Sequence, residues 1–529
     1  MKETFILYIL VIFVILLLTM AAQKIKVAVP LLLVPGGLLL SWIPQLSHIR
    51  IDPELIFIIF LPPLLFEAAW SISWKEMWRW RRVISVFAIL IVVLTSGVVA
   101  LVAYAWIPGF TLALGFLLGG IVSPPDAISA TSVMRLIRVP RRLTNILEGE
   151  SLLNDASSLI IFRFALAAVA TGRFVFHEAV GSFVLVIILG IAIGVLVAMA
   201  YLSLHRWLPT NADIDIVLTL TAPYVMYIAA ESFHFSGVLA VVSGSLYMSR
   251  RNYQYRSSRS RLRGSNVWTT IAFVLNGLVF MLIGLELPEI IRTLGTVSLT
   301  QAIGYGVLIT FVLIVGRLLC TLGSSVFTVW VSRYITTADN RPGWRAPLVF
   351  GWAGMRGVVS LAAALSIPFA LPDGRDFPQR DLILFITFVV IVLTLLIQGL
   401  SLPWLIRKMH LEDRDYPLSP EEQDLEVRKQ LTAHSLDFLD GHFPGKIDSN
   451  PLLTQLRGRF HTDNDQLQHQ SVEVREEYKE IYLKLLKDQR KFLLGLNKSL
   501  ETDEEIIRKY QTIVDLEQEK LMCLYEVLD

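Results

Sequence analysis

The sequence predicts an all-α polytopic membrane protein: about 13 transmembrane helices with inverted repeats and two discontinuous helices, then a cytosolic helical C-terminal tail. Three observations lead there. Hydrophobic residues make up 54% of the 529 and charged ones only 17%, against about a quarter in a soluble domain. The apolar residues gather into blocks near the roughly 20 residues a helix needs to cross a bilayer. After His410 the blocks stop and the composition becomes charged. The chain therefore divides into a membrane domain, 1–410, and a tail, 411–529.

The first block, Phe5 to Met20, follows Lys2 and resembles a secretory signal. Lys2 is offset by Glu3, however, and the stronger charge, Lys24 and Lys26, comes after the block. A cleaved signal has the opposite asymmetry, so this block is read as the first span. Spans follow over 5–22, 27–43, 53–70, 83–106, 110–134, 143–170, 179–204, 214–230, 235–248, 268–287, 299–330, 347–370 and 382–406. Backbone polar groups find no partner in lipid, so each span must be helical or shielded by protein.

Charge asymmetry orients the set. Twenty Lys and Arg residues sit in connectors after odd-numbered spans, among them Arg79, Arg81, Arg135, Arg138, Arg250, Arg256, Arg333 and Arg341. Six, including Arg50 and Arg173, sit on the other side. The bias places odd connectors in the cytoplasm, the N-terminus outside and the C-terminus inside a cytoplasmic membrane. The partner this composition demands is a lipid bilayer; a net charge of +2 dispersed in short connectors signals no nucleic acid. Cys320 and Cys523 cannot build a disulfide framework or a metal cluster, and no cofactor is expected.

The tail opens with Ser419-Pro420-Glu421-Glu422, a capping box with Pro at the first helical position. Tyr478, Ile481, Tyr482 and Leu485 then repeat at amphipathic helical spacing.

Two spans are interrupted at their centres. The fifth contains Gly119-Gly120 and Ser123-Pro124-Pro125-Asp126; the twelfth contains Gly351-Trp352-Ala353-Gly354-Met355-Arg356-Gly357. Adjacent prolines remove two backbone donors and clash with the preceding turn. The spans are seven apart, so they run in opposite directions, the pattern of an inverted-repeat transporter with its site between broken helices. Each break exposes half-helix ends carrying roughly half a unit of charge, which Asp126 and Arg356 are placed to compensate.

Ionisable groups at mid-membrane cost roughly 2.5–3.5 kcal/mol or more and mark ion or proton paths. The densest set is Glu150-Ser151-Leu152-Leu153-Asn154-Asp155 on the sixth span. Helical spacing stacks Ser151 over Asp155 and Glu150 over Asn154. Asp155 and Asp126 with the Ser151 hydroxyl make a hard oxygen site suited to Na⁺ or Li⁺. A buried carboxylate resists ionisation, so a bare one takes either a proton or a cation, and one site that must hold either ligand gives exchange. Glu67 lies near the cytoplasmic end of the third span, where it would line an entry funnel. Glu150 with Arg356 is the favoured ion pair; Arg163, Arg317, Glu231 and Glu286 are read as structural pairs or interfacial charges.

Ser123-Pro124-Pro125-Asp126, Glu150 to Asp155, Ser236-Gly237-Val238-Leu239-Ala240 and Gly354-Met355-Arg356-Gly357 together resemble the cation/proton antiporters of the NhaP-type sodium/proton exchanger family. The resemblance runs to about Ile406. It implies that Asp155 binds ion and proton, that Asp126 and Ser151 are co-ligands, and that Asn154 shapes the site. It also implies that Glu150 and Arg356 form a structural pair, that Glu67 is the acid of the third span, and that the protein is a homodimer with an elevator-like cycle. An Asn-Asp pair implies electroneutral exchange, and no lysine lies between Lys75 and Lys408 to carry a second proton. The pattern departs from many members at Pro125, where they have Thr, and at Ala127, where they have Pro. K⁺/H⁺ exchange is the main alternative; an intramembrane aspartyl protease using Asp126 and Asp155, or a cation channel, is remote. No enzymatic activity is expected.

Overall fold

The computed structural model of the chain describes residues 2–25, 27–43, 53–134, 137, 139–172, 176–292, 294, 297–331, 343–411, 420–447, 449–469, 472–496 and 504–525. The capping Ser419, and Lys26, Arg50, Arg135, Arg138, Arg173, Arg333 and Arg341 of the charge comparison, lie outside the described residues. The chain forms two compact units, Met1–Glu412 and Asp413–Asp529.

The first unit is built of helices. Three helices open it: α1 (Lys2–Ile25), then α2 (Pro30–Leu40) and α3 (Pro53–Ser71), the last two with internal prolines. α4 (Trp74–Ser85) runs through a π-helical turn, Val86–Ile91, into α5 (Val92–Trp106). The fifth span is two half-helices, α6 (Leu112–Val122) and α7 (Ala127–Met134). Then come α8 (Arg141–Thr171), α9 (Phe176–Trp207), α10 (Ala212–Glu231), α11 (Gly237–Tyr255), α12 (Ser258–Arg292) and α13 (Leu299–Val331). A second pair of half-helices, α14 (Arg345–Trp352) and α15 (Val358–Leu365), precedes α16 (Arg380–Met409).

Among the described residues, eight helical segments are long and apolar enough to cross a membrane. The other five expected spans correspond to α1, α2, α3, α11 and the α14–α15 pair, each shorter, more polar or interrupted. The basic connector 75–82 is itself helical: Ser73 caps α4, accepting the Glu76 amide at 3.5 Å.

α6 lies against α5 and α8, and small residues make that approach close. A Cβ on Gly119 would sit 2.5 Å from the Ser96 carbonyl of α5. The two broken helices also meet, the Asp126 amide donating to the Met355 carbonyl at 2.7 Å. The prolines of α3, Pro62 and Pro63, lie inside an unbroken helix. Pro63 leaves the Ile59 carbonyl without its helical donor, and the Tyr224 hydroxyl of α10 supplies one at 3.3 Å.

The second unit holds α17 (Pro420–His442), α18 (Pro444–Ile447), α19 (Pro451–His469), α20 (Val472–Leu496) and α21 (Glu504–Tyr525). Leu486 of α20 packs with Val514 and Leu521 of α21, and Arg490 bonds Asp515 at 2.7 Å. Of the expected apolar stripe only Tyr482 turns into this core; Tyr478, Ile481 and Leu485 are exposed. A single partner helix covers a narrower line than the sequence spacing offers.

Candidate functional site

The site begins with a backbone accounting problem. Pro124 and Pro125 have no amide to donate, and the turn around them frees groups that a continuous helix would pair. Several of them find tertiary partners. The Asn154 side-chain amide donates to the Pro125 carbonyl at 2.9 Å, and the Ala127 amide donates to Ser151 Oγ at 3.2 Å. Asp126 caps α7: its Oδ1 accepts the Ile128 amide at 2.9 Å and its Oδ2 the Ser129 hydroxyl at 2.6 Å.

Arg356 serves the opposite ends. Its Nε donates to the Val122 carbonyl at the C-terminus of α6 at 2.9 Å, and its Nη1 donates to the Gly354 carbonyl beside α14. Its own amide donates to Thr394 Oγ1 of α16 at 3.2 Å. A guanidinium thus neutralises the negative half-helix end of α6 and the unwound strand beyond α14, while a carboxylate faces a positive one. Gly357 completes the crossing, because a Cβ there would overlap the Asp126 carboxylate.

Between these elements lies a cavity of about 10 Å³, room for roughly one water-sized body. Its wall includes Pro125, Asp126, Asp155, Gly357, Val359 and Ser360. Asp155 is only 7% exposed, and its carboxylate makes no hydrogen bond or ion pair to another described residue. Asn154 is fully buried with Oδ1 unpartnered, and Ser151 is held on the α7 amide rather than in the cavity wall. Oxygen donors surround the space, and among the described residues no cluster of three His, Cys, Asp or Glu side chains gathers that would hold a resident metal.

One expected pairing is corrected. Glu150 bonds Arg317 of α13, not Arg356, through two parallel contacts of 2.8 Å, both side chains being essentially buried. Arg356 is drawn instead to main-chain carbonyls that the broken helices leave open. Sequence spacing could not choose between the two arginines, since both stand alone in apolar runs of distant helices. Glu67 is half-buried on α3 and lies outside the cavity wall. Arg163 and Glu231 form a pair at 2.6 Å, and Glu231 also accepts the Gly237 amide. Ser360, in the run Val358-Val359-Ser360-Leu361, carried no signal beyond being the one hydroxyl there.

The transmembrane sodium/hydrogen exchanger family model matches residues 9–408, most of the chain, and the chain belongs to that family. It is 34% identical over 394 residues to a sodium, potassium, lithium and rubidium/H⁺ antiporter of Bacillus pumilus, covering 72% of this chain but only 58% of that one. It is 31% identical to an uncharacterised Na⁺/H⁺ exchanger of Escherichia coli, over 93% of each chain. Among solved structures, the sodium proton antiporter MjNhaP1 of Methanocaldococcus jannaschii at pH 8 aligns with a TM-score of 0.62 and 17% identity, covering 78% of this chain and all of that one. That last likeness is one of fold.

Proposed function

We propose, on the premise of that membership, that the protein exchanges Na⁺ or Li⁺ for H⁺ across a cytoplasmic membrane, the two ligands competing for Asp155. The observation that carries this reading is a buried carboxylate facing a cavity with no donor or counter-charge among the described residues. Such a group is costly when charged and empty, so it holds a proton or a cation. If the empty site cannot reorient, each passage delivers one or the other. Asp126, Ser151 and Asn154 fix the geometry, and Glu150 and Arg356 support it. Asp126 has both carboxylate oxygens engaged by α7, which argues against a protease dyad sharing one proton.

Asn154 beside Asp155, with no lysine between Lys75 and Lys408, supports one-for-one electroneutral exchange. A second reading, K⁺/H⁺ exchange, is favoured by the named potassium substrate of the Bacillus relative. The same proposal includes thirteen spans with the N-terminus outside and the C-terminus inside, a membrane transporter domain over 1–410, a cytosolic tail over 411–529, a homodimer, and Glu67 lining the cytoplasmic entry.

The test is cation-dependent dequenching of a pH dye in proteoliposomes holding the whole chain. Wild type responds to Na⁺ or Li⁺, and Asp155→Ala is silent; undiminished exchange by that variant ends the proposal. An imposed membrane potential leaves the rate unchanged if exchange is electroneutral. Running Na⁺, Li⁺ and K⁺ in turn separates the two cation readings.

A further inference from the structure

We infer that Ser360 is a cation-binding residue of the same cavity and sets the preference among monovalent cations; this rests on exchange at Asp155. Ser360 is 2% exposed, yet it lines the cavity beside both aspartates. Its hydroxyl makes no hydrogen bond to another described residue. That sets it apart from two buried hydroxyls of α16. Thr387 and Thr394 donate to the carbonyls of Ile383 and Ile391, one turn back on their own helix. Ser360 has no such recourse, because it is the third residue of α15 and the turn behind it is the unwound Arg356–Gly357 stretch. Its hydroxyl is left facing the space where a cation would sit.

A hydroxyl oxygen offers two lone pairs, and a hard cation stripped of water needs several such donors. Asp126 and Asp155 come from the first broken helix and its neighbour. Gly357 and Val359 bring no polar side-chain atom, so Ser360 is the one side-chain donor that the second broken helix gives to the cavity wall. A cation held there is gripped by both repeats. In a space of about 10 Å³ the reach of that single oxygen decides whether a smaller or a larger ion is better served. The alternative, that a small residue is needed only for packing, predicts that alanine is neutral.

The experiment measures apparent KM and maximal rate for Na⁺, Li⁺ and K⁺ in proteoliposomes of wild type, Ser360→Ala, Ser360→Cys and Asp155→Ala. Ser360→Ala is expected to raise the KM of the preferred cation roughly 3- to 10-fold, the size of one lost polar contact, with maximal rate kept within about twofold. The ratio of KM values among the three cations shifts, and protons compete more strongly at fixed cation concentration. Ser360→Cys keeps the volume while replacing a hard oxygen by soft sulfur, and raises the Na⁺ KM likewise; it decides the matter alone if the alanine variant does not fold. Unchanged KM values and an unchanged cation ratio, with Asp155→Ala inactive, overturn the inference and leave the exchange reading standing. Exchange by Asp155→Ala at the wild-type rate overturns both.

Discussion

Two carboxylates on α8, five residues apart, meet opposite fates. Glu150 is fully buried and locked to Arg317 by two 2.8 Å contacts. Asp155 is nearly as buried and has no partner among the described residues. Five residues turn a helix by about 140°, so one helix presents the two acids to different neighbours. α13 answers the first with a guanidinium. The crossing of the broken helices answers the second with a cavity and a further acid, Asp126. A balanced pair holds structure, whereas an unbalanced buried carboxylate is costly when charged, which is the ground for the exchange proposed at Asp155. The difference lies in the surroundings, since both are carboxylates at similar burial.

The comparison breaks most visibly at Asp155. Asp155→Ala is expected to lower exchange at least 100-fold while leaving thermal unfolding in detergent unchanged or raised, because a buried charge goes and no hydrogen bond or ion pair to a described residue is lost. A fall in melting temperature with activity retained would invert the assignment of the two acids. Glu150 should behave the opposite way. Arg317→Met leaves its charge buried and unpaired, at a cost of about 3–5 kcal/mol, read as a lower melting temperature and poorer yield. The double variant Glu150→Leu with Arg317→Met is expected to recover much of that loss, since a matched apolar pair removes both charges.

Asp126 stands between these extremes, as both cap and cavity wall. Asp126→Asn keeps a good N-cap and should stay within about 1 kcal/mol of wild-type stability, while the KM for the cation rises in the proteoliposome assay. Asp126→Ala is expected to lose the cap as well, costing about 1 kcal/mol more. The smallest effect is at Tyr224, where Phe removes the donor to the Ile59 carbonyl. About 1 kcal/mol is expected from thermal unfolding, with exchange kinetics unchanged.

Pro62-Pro63 and Pro124-Pro125 show how far local sequence can be read. The same dipeptide sits in an unbroken α3 and at the break between α6 and α7. Covalent chemistry removes the same donors in both places. What differs is who takes the freed groups: Tyr224 mends α3, whereas Met355, Asn154 and Ser151 hold the second site open. The break in the fifth span was legible because Asp126, a capping residue, follows the prolines and starts a new helix. The break in the twelfth span was legible because three glycines, Gly351, Gly354 and Gly357, fall within seven residues and weaken a helix there. The pairing of Glu150 was not legible, because two lone arginines on separate helices are equivalent until packing brings one of them near.

The sequence by itself determined that the chain lies in a membrane as helices, that two of those helices are interrupted, and that Asp126 stands at one break with Asp155 on the next span. Those properties follow from composition, from proline and glycine geometry, and from the cost of charge in lipid, all of which act locally. Only the tertiary structure decided which arginine balances Glu150, that Arg356 serves open carbonyls, and that Ser360 shares the cavity with Asp155. These depend on which side chains from distant helices arrive at one point, and helical spacing orders residues along a single helix without saying what it will face.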